Sequence, residues 1–365
     1  MANALKEFLT VDFSDLRPIG QSGLFTLPGR PPVGSPIDFS SYASRRQHGI
    51  LIPELCPDAP PRLVRLWQDI SARTWLMPEN IRLAPNKRKR RSQANFRSSR
   101  QISESEDTST DWCGSQAVLP SGQSFYYSVI QFNVPQLAVP NPNAGGGFLK
   151  ESPQGGYTLS VWVGLDGGIA NLLPSGANVP GGDIWQAGVD CTINAEGNVS
   201  YDTWYQWFSP TMPGDSPATP LNINAGDTII ITVAYTYSSN GSINGGTYQF
   251  ANATTNEMDP ATFIALPPCT APNGSAAAWI VETPQEQSNP DQLTGATSTN
   301  NTTLPRFQDI VITGLGVGTE SKASEAGSSQ LIQMSYPPPD INNQATATSV
   351  PNPGNQPILR VRYVS

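Results

Sequence analysis

Histidine is almost absent: His48 is the one histidine in 365 residues, and it lies in the front third of the chain. Catalysis by a Ser–His or Cys–His pair is therefore not expected, and neither a GxSxG turn nor a Gly-rich phosphate loop followed by Lys occurs. Cysteine is scarce too. Cys56, Cys113, Cys191 and Cys269 fit no metal-ligand spacing, so a zinc site is not expected, and isolated thiols or one disulfide remain. No run of 18 apolar residues exists to span a membrane as a helix. The opening MANALKEFLTVDFSDL does not have the charged start and long apolar run of a secretory signal. Long amphipathic helical patterns are also nearly missing.

What the chain has instead is punctuation. Thirty-five Pro and 32 Gly separate runs of five to ten residues rich in Val, Ile, Thr, Tyr and Trp, in a chain that is 38% apolar and 14% charged. That pattern predicts an all-β fold, with a β-sandwich as the first choice. No 20 to 50 residue repeat is visible, which argues against a propeller or solenoid.

Charge divides the chain. Residues 1–111 hold 16 of the 21 Lys and Arg against 12 of the 29 Asp and Glu, a balance of +4, while 112–365 carry −12. Within the front part, PRLVRLWQDISARTWL (61–76) places Leu63, Leu66, Trp67 and Ile70 at helical spacing after Pro60-Pro61, predicting one short helix that docks on the main domain. The run KRKRR (Lys87 to Arg91) reads as a solvated linker, or as a nucleic-acid or membrane tail. It is followed by SSRQISESEDTSTD, which has linker composition. The expected organisation is thus an N-terminal basic segment and linker over 1–111, mostly irregular, and a β-sandwich domain over 112–365.

Three closely spaced segments carry the chemistry: YTLSVWVGLDG (157–167), DIWQAGVD (183–190) and YDTWYQWF (201–208). At period two, Leu159, Val161, Val163 and Leu165 share one face, and Ser160, Trp162, Gly164 and Asp166 the other. Asp202, Trp204, Gln206 and Phe208 share a face in the third segment, as do Gln186 and Asp190 in the second. A face carrying tryptophans, carboxylates and amides together makes a poor core and a good cleft. Further along, Glu282 closes the strand AAWIVE. A carboxylate there is a candidate general base on water, and Gln186 a candidate donor to a developing oxyanion. By spacing alone, each is equally an ordinary polar strand residue.

WVGLDG (162–167), WQAGVD (185–190), YDTWYQW (201–207) and AWIVE (278–282), in this order, resemble the motifs of the eqolisin-type glutamic peptidases. DWCGSQAVL with its later FNVP, and the closing LRVRYV, resemble that family's domain ends, so the likeness spans about 112–365. The resemblance implies a β-sandwich whose concave sheet face is the cleft, and an acid endopeptidase that needs no metal or cofactor and resists pepstatin. It carries the catalytic pair onto Gln186 and Glu282, and substrate-binding roles onto Trp162, Asp166, Asp190, Asp202, Trp204 and Gln206. Two departures stand out: Gln206 occupies a position where the family usually has Glu, and Ala277-Ala278-Trp279 stands where it has AEW or a similar triplet. The implied partners are protein or peptide substrates, with no nucleic acid and no membrane, acting on a monomer. Secretion is implied although no signal is visible, and residues 1–111 sit where the family carries a propeptide. The expectation is that at neutral pH this basic segment lies against the acidic cleft, with the 61–76 helix as anchor. Acid then releases it, and the chain is cut between about Lys87 and Asp111. Two other classes share the composition: a carbohydrate-binding or glycoside-hydrolase sandwich with paired carboxylates in an aromatic cleft, and a structural jelly roll.

Overall fold

The structure is a computed structural model that describes residues 9–19, 23–28, 32–51, 61–78, 106–109, 112–120, 122–141, 156–167, 183–208, 221–268, 270–283, 303–318, 323–334, 345–351 and 357–364. Its strands are β1 (Arg17–Ile19), β2 (Leu24–Thr26), β3 (Glu106–Ser109), β4 (Trp112–Val118), β5 (Phe125–Asn133), β6 (Leu137–Ala138) and β7 (Tyr157–Asp166). They continue with β8 (Ile184–Ile193), β9 (Val199–Phe208), β10 (Thr228–Tyr237), β11 (Ile243–Asn252), β12 (Glu257–Met258), β13 (Thr262–Ala265) and β14 (Ala276–Glu282). The last are β15 (Arg306–Phe307), β16 (Ile310–Gly318), β17 (Ala323–Glu325), β18 (Gln330–Met334), β19 (Ala345–Pro351) and β20 (Pro357–Tyr363). Cys56, Cys269 and the KRKRR run fall outside the described residues.

The architecture is all-β, as the punctuation predicted. A front layer runs β9-β8-β7-β14-β4-β18, every neighbour antiparallel. A back layer runs β16-β5-β10-β11-β13-β2-β1, also antiparallel. The pair β19–β20 joins them, bonding to β18 on one side and β16 on the other.

Alternation decides which side chains meet between the layers. Leu159, Val161, Val163 and Leu165 of β7 and Trp185, Ala187 and Val189 of β8 enter the same buried cluster as Ile130 and Phe132 of β5 and Ile229 and Ile231 of β10. Trp279 crosses the gap, its indole N–H donating to the Val129 carbonyl at 2.9 Å. Glycine makes room for it: a Cβ at Gly314 would lie 2.3 Å from Trp279 Nε1. Cys113 and Cys191 are free thiols buried in this core, and burial pushes the Cys113 thiol up to about 12. Among the described residues no helix is long and apolar enough to cross a membrane.

The back layer is buried on its outer face as well. Tyr127 and Val129 of β5, Ile230 and Ala234 of β10, Gln249 and Ala251 of β11, and Leu315 and Val317 of β16 alternate with the residues that face the core, and all are buried. The N-terminal segment covers this face. The helix predicted over 61–76 forms as Pro61–Ser71 and buries Leu63, Trp67 and Ile70. Its Trp67 ring meets Tyr127 edge-on at 5.8 Å, and Arg62 pairs with Glu325 of β17. Gln249 donates to the Gly49 and Asp259 carbonyls and accepts from Leu51 N–H. β2 extends the layer beyond β13, and Leu76 N–H bonds to the Asn256 carbonyl.

The helix therefore is an anchor, but for the layer opposite the predicted cleft. The expected placement against the acidic face does not hold for it, because an apolar stripe follows apolar surface more strongly than charge follows charge across solvent. Trp67→Ala is expected to cost about 3–5 kcal/mol of stability, the usual range for emptying a buried aromatic site. Urea unfolding of the purified variant measures it, and a change under 1 kcal/mol would mean that the helix is not part of the cooperative fold.

Candidate active site

The front layer's other face is organised in rows set by strand register. Trp112, Glu282, Ser160, Asp190 and Asp202 are successive cross-strand partners from β4 through β14, β7 and β8 to β9. The next same-face row is Gly114, Ile280, Trp162, Gly188 and Trp204. After it come Gln116, Ala278, Gly164, Gln186 and Gln206. A carboxylate row, an indole row and an amide row thus lie side by side. The alternation of three short sequence segments had put most of these residues on one face.

Within the rows the polar side chains are tied to one another. Trp162 Nε1 donates to Glu282 Oε2 at 2.7 Å, and the Trp162 ring stands edge-on to Trp112 at 5.0 Å. Gln186 Nε2 donates to Gln206 Oε1 at 3.1 Å. Trp204 Nε1 donates to Ser160 Oγ at 3.0 Å, and Ser160 Oγ donates on to Asp190 Oδ1 at 2.7 Å. The two indoles lie over Gly188, where a Cβ would come within 2.6 Å of both Trp162 Cβ and Trp204 Cζ2. Glycine is required there by close approach.

Gln186 and Glu282 are only 2% and 1% exposed, while Asp190 and Asp202 are half-buried. The carbonyl oxygen of Gln186, Oε1, is buried and has no hydrogen-bond partner among the described residues. An unpartnered buried oxygen is costly and marks a place where water or a ligand is accommodated. Among the described residues no group of His, Cys, Asp or Glu is arranged to hold a metal ion.

Asp166 is placed differently from the other predicted site residues. It ends β7 with φ +62°, followed by Gly167 at +69°. Its Oδ2 accepts from Tyr235 Oη at 2.7 Å, Asn273 N at 2.8 Å and Gly274 N at 2.9 Å, and Oδ1 from Ser275 N and Oγ at 2.6 and 3.1 Å. Burial pushes its carboxyl above the ordinary value, against the pull of these donors. Its oxygens are engaged with the 273–275 turn that leads into β14. Two residues given no site role from the sequence take part in the face: Ser160, which links Trp204 to Asp190, and Gln116, buried at 1% in the amide row. The alternation of β7 marked Ser160, but only the register of β4 against β14 reveals Gln116.

The model of the Peptidase A4 family matches residues 110–354, the stretch from β4 through β19 that builds this face. The chain belongs to the Peptidase A4 family. The resemblance to eqolisin-type glutamic peptidases, drawn from four short motifs, is thereby borne out. Aspergillopepsin-2 of Aspergillus niger is 30% identical over 143 residues, which is 38% of this chain and 45% of that protein. The chain thus spans a little under half the length of this curated relative. A solved structure of scytalido-glutamic peptidase with a transition state analog inhibitor aligns over 70% of this chain and 98% of that one, with 18% identity and a TM-score of 0.48.

Proposed function

We propose that this Peptidase A4 family member is an acid endopeptidase that hydrolyses peptide bonds by direct attack of water, using Glu282 and Gln186. The observation that carries the reading is their joint burial on one face of the family-matched region, each held by a neighbour, with Trp162 in the row between them. Their α-carbons are two strands and four residues apart. At about 4.8 Å per strand and 3.3 Å per residue, a flat sheet would separate them by roughly 16 Å. Side chains reaching about 5 Å each, from bonds of about 1.5 Å, and leaning toward one another leave a gap that suits a water and a scissile carbonyl.

In this mechanism Glu282 takes a proton from the water as it attacks the carbonyl carbon. The Gln186 amide donates to the oxyanion, and Glu282 returns the proton to the leaving nitrogen. No acyl-enzyme forms. A glutamate both accepts and gives a proton readily only near the carboxyl range, about 4.3 for the free side chain, so an acid optimum is expected. Asp190 and Asp202 flank the route and bind the substrate's backbone or polar side chains. Trp162 acts by positioning Glu282 through its indole N–H. Because the pair is buried in the full-length chain, a peptide reaches it only once the cleft opens. This is in keeping with a precursor that is cut between about Lys87 and Asp111, and the family resemblance is what suggests secretion.

The direct test is cleavage of denatured casein at pH 3–4, near the carboxyl range, in the presence of pepstatin. No cleavage by purified, processed protein under these conditions would refute the reading. Trp162→Phe keeps the ring and removes the N–H. It is expected to lower kcat about 10- to 100-fold with KM nearly unchanged, since a hydrogen bond to a charged group is worth about 1.5–3 kcal/mol. A rise in KM at constant kcat would instead make Trp162 a substrate contact.

A further inference from the structure

Between residues 9 and 78 the N-terminal segment is bonded to the back layer and its turns at many points. Val11 N–H donates to the Tyr237 carbonyl and Tyr237 N–H to the Leu9 carbonyl. Asn244 Nδ2 donates to the Val11 carbonyl at 2.9 Å. Phe13 fills the space over Gly245, where a Cβ would lie 2.8 Å from its ring. β2 pairs with β13 over Thr26↔Thr262, Phe25↔Phe263 and Leu24↔Ile264. Arg73 donates to the Ala253 carbonyl at 2.7 Å, and Met258 N–H bonds to the Leu76 carbonyl. Beneath these contacts lie Tyr127, Val129, Ile230, Leu315 and Val317, a broad apolar surface belonging to the body itself.

We infer that residues 9–78 are a permanent third layer of the folded protein, retained on the back sheet after any cut in the 79–105 stretch. A processed molecule is then a non-covalent two-chain protein and not a shortened single chain. The physical reason is the cost of departure. Removing the segment returns the apolar outer face to water at about 25 cal/mol per Å². It also strips β13 of its β2 partner and leaves buried Gln249 without the two hydrogen bonds it shares with Gly49 and Leu51, and a contiguous exposed patch of this kind is a liability for a monomer.

Acid does not undo this attachment. Arg62 is the charged group facing Glu325 among the described residues, and burial raises the Glu325 carboxyl above its ordinary value even though Arg62 pulls it down. A carboxyl whose folded value is raised binds its proton more readily when folded. Its contribution is therefore fully present at low pH and declines as pH rises between the unfolded and folded values. Protonating Glu325 at acid pH consequently does not weaken the folded state to which the segment belongs.

The test does not depend on the proposed activity. In the full chain carrying Glu282→Gln, residues 87–91 are replaced by the recognition sequence of a specific exogenous protease. The chain is cut there, and the product is followed by size exclusion and native mass spectrometry at neutral pH and near pH 4. The expected result is one species of full-chain mass at both pH values, with no loss of the N-terminal fragment from the peak, that separates into two fragments only in denaturant. Release of the fragment at either pH, leaving a folded monomer, overturns the inference. Repeating the cut with Trp67→Ala and Gln249→Ala together should lower the denaturant concentration at which the fragments part. An unchanged midpoint would mean that this interface does not hold them and would equally overturn it.

Discussion

Glu282→Gln is expected to abolish measurable peptide hydrolysis while leaving unfolding in urea close to that of the parent. The side chain keeps its shape and can still accept from Trp162 Nε1, but it can no longer take a proton from water. General base catalysis alone contributes about 10² to 10⁴, and here the same group also protonates the leaving nitrogen, so the loss is expected at or beyond the upper end. Gln186→Ala should lose about 10² to 10³, the effect of one oxyanion donor. Near-normal turnover by folded Glu282→Gln would end the assignment of this pair. Gln206→Ala is the contrast: it leaves both members of the pair in the chain and is expected to alter substrate preference or KM more than it alters the chemical step.

Asp166→Ala is expected to be the most destabilising single change on the front layer, at about 3 to 5 kcal/mol. Its carboxylate collects five hydrogen bonds, and each buried donor left without an acceptor costs about 1–3 kcal/mol. Alanine also tolerates the +62° φ poorly, whereas asparagine accepts that conformation and keeps one acceptor oxygen. Asp166→Asn should therefore lose clearly less stability. Urea unfolding paired with kcat and KM per folded molecule separates the possibilities. A stable Asp166→Asn enzyme with a much higher KM would show that the carboxylate binds substrate, as the family resemblance implies. Loss of stability with unchanged kinetics in the folded fraction would show that it holds the turn before β14.

The two faces of the front layer were legible because β7, β8 and β9 each obey a period of two over ten residues. In β7, β8 and β9, alternation alone separated Val161, Val189 and Tyr205 from Trp162, Gln186 and Trp204. It failed at Asp166 because a strand ends there: once φ turns positive, the side chain no longer follows the alternation, and the Asp166-Gly167 pair was a turn signal inside the motif. Partnerships between strands were not legible. That Glu282 stands across from Ser160, or Gln186 across from Gln206, depends on register between segments that are far apart in the chain. The helix beginning at Pro61 could be read from its own spacing, but its docking site could not. Charge balance pointed it to the acidic cleft, whereas the apolar outer face of the back layer is assembled from strands scattered between residues 125 and 318.

That assembly has a consequence for how the protein is made. Leu51 bonds to Gln249, 198 residues later, and Arg62 pairs with Glu325. At about 5–20 residues per second, the N-terminal segment leaves the ribosome roughly 10 to 40 seconds before its binding strands exist. A segment synthesised before the strands it binds is then the last to find its place. In that interval Leu63, Trp67 and Ile70 have no surface to bury against, and the apolar stripe must be kept from other chains. Production of this protein should therefore respond more to slowed translation, or to holdase chaperones acting on the first 80 residues, than to changes at the catalytic face.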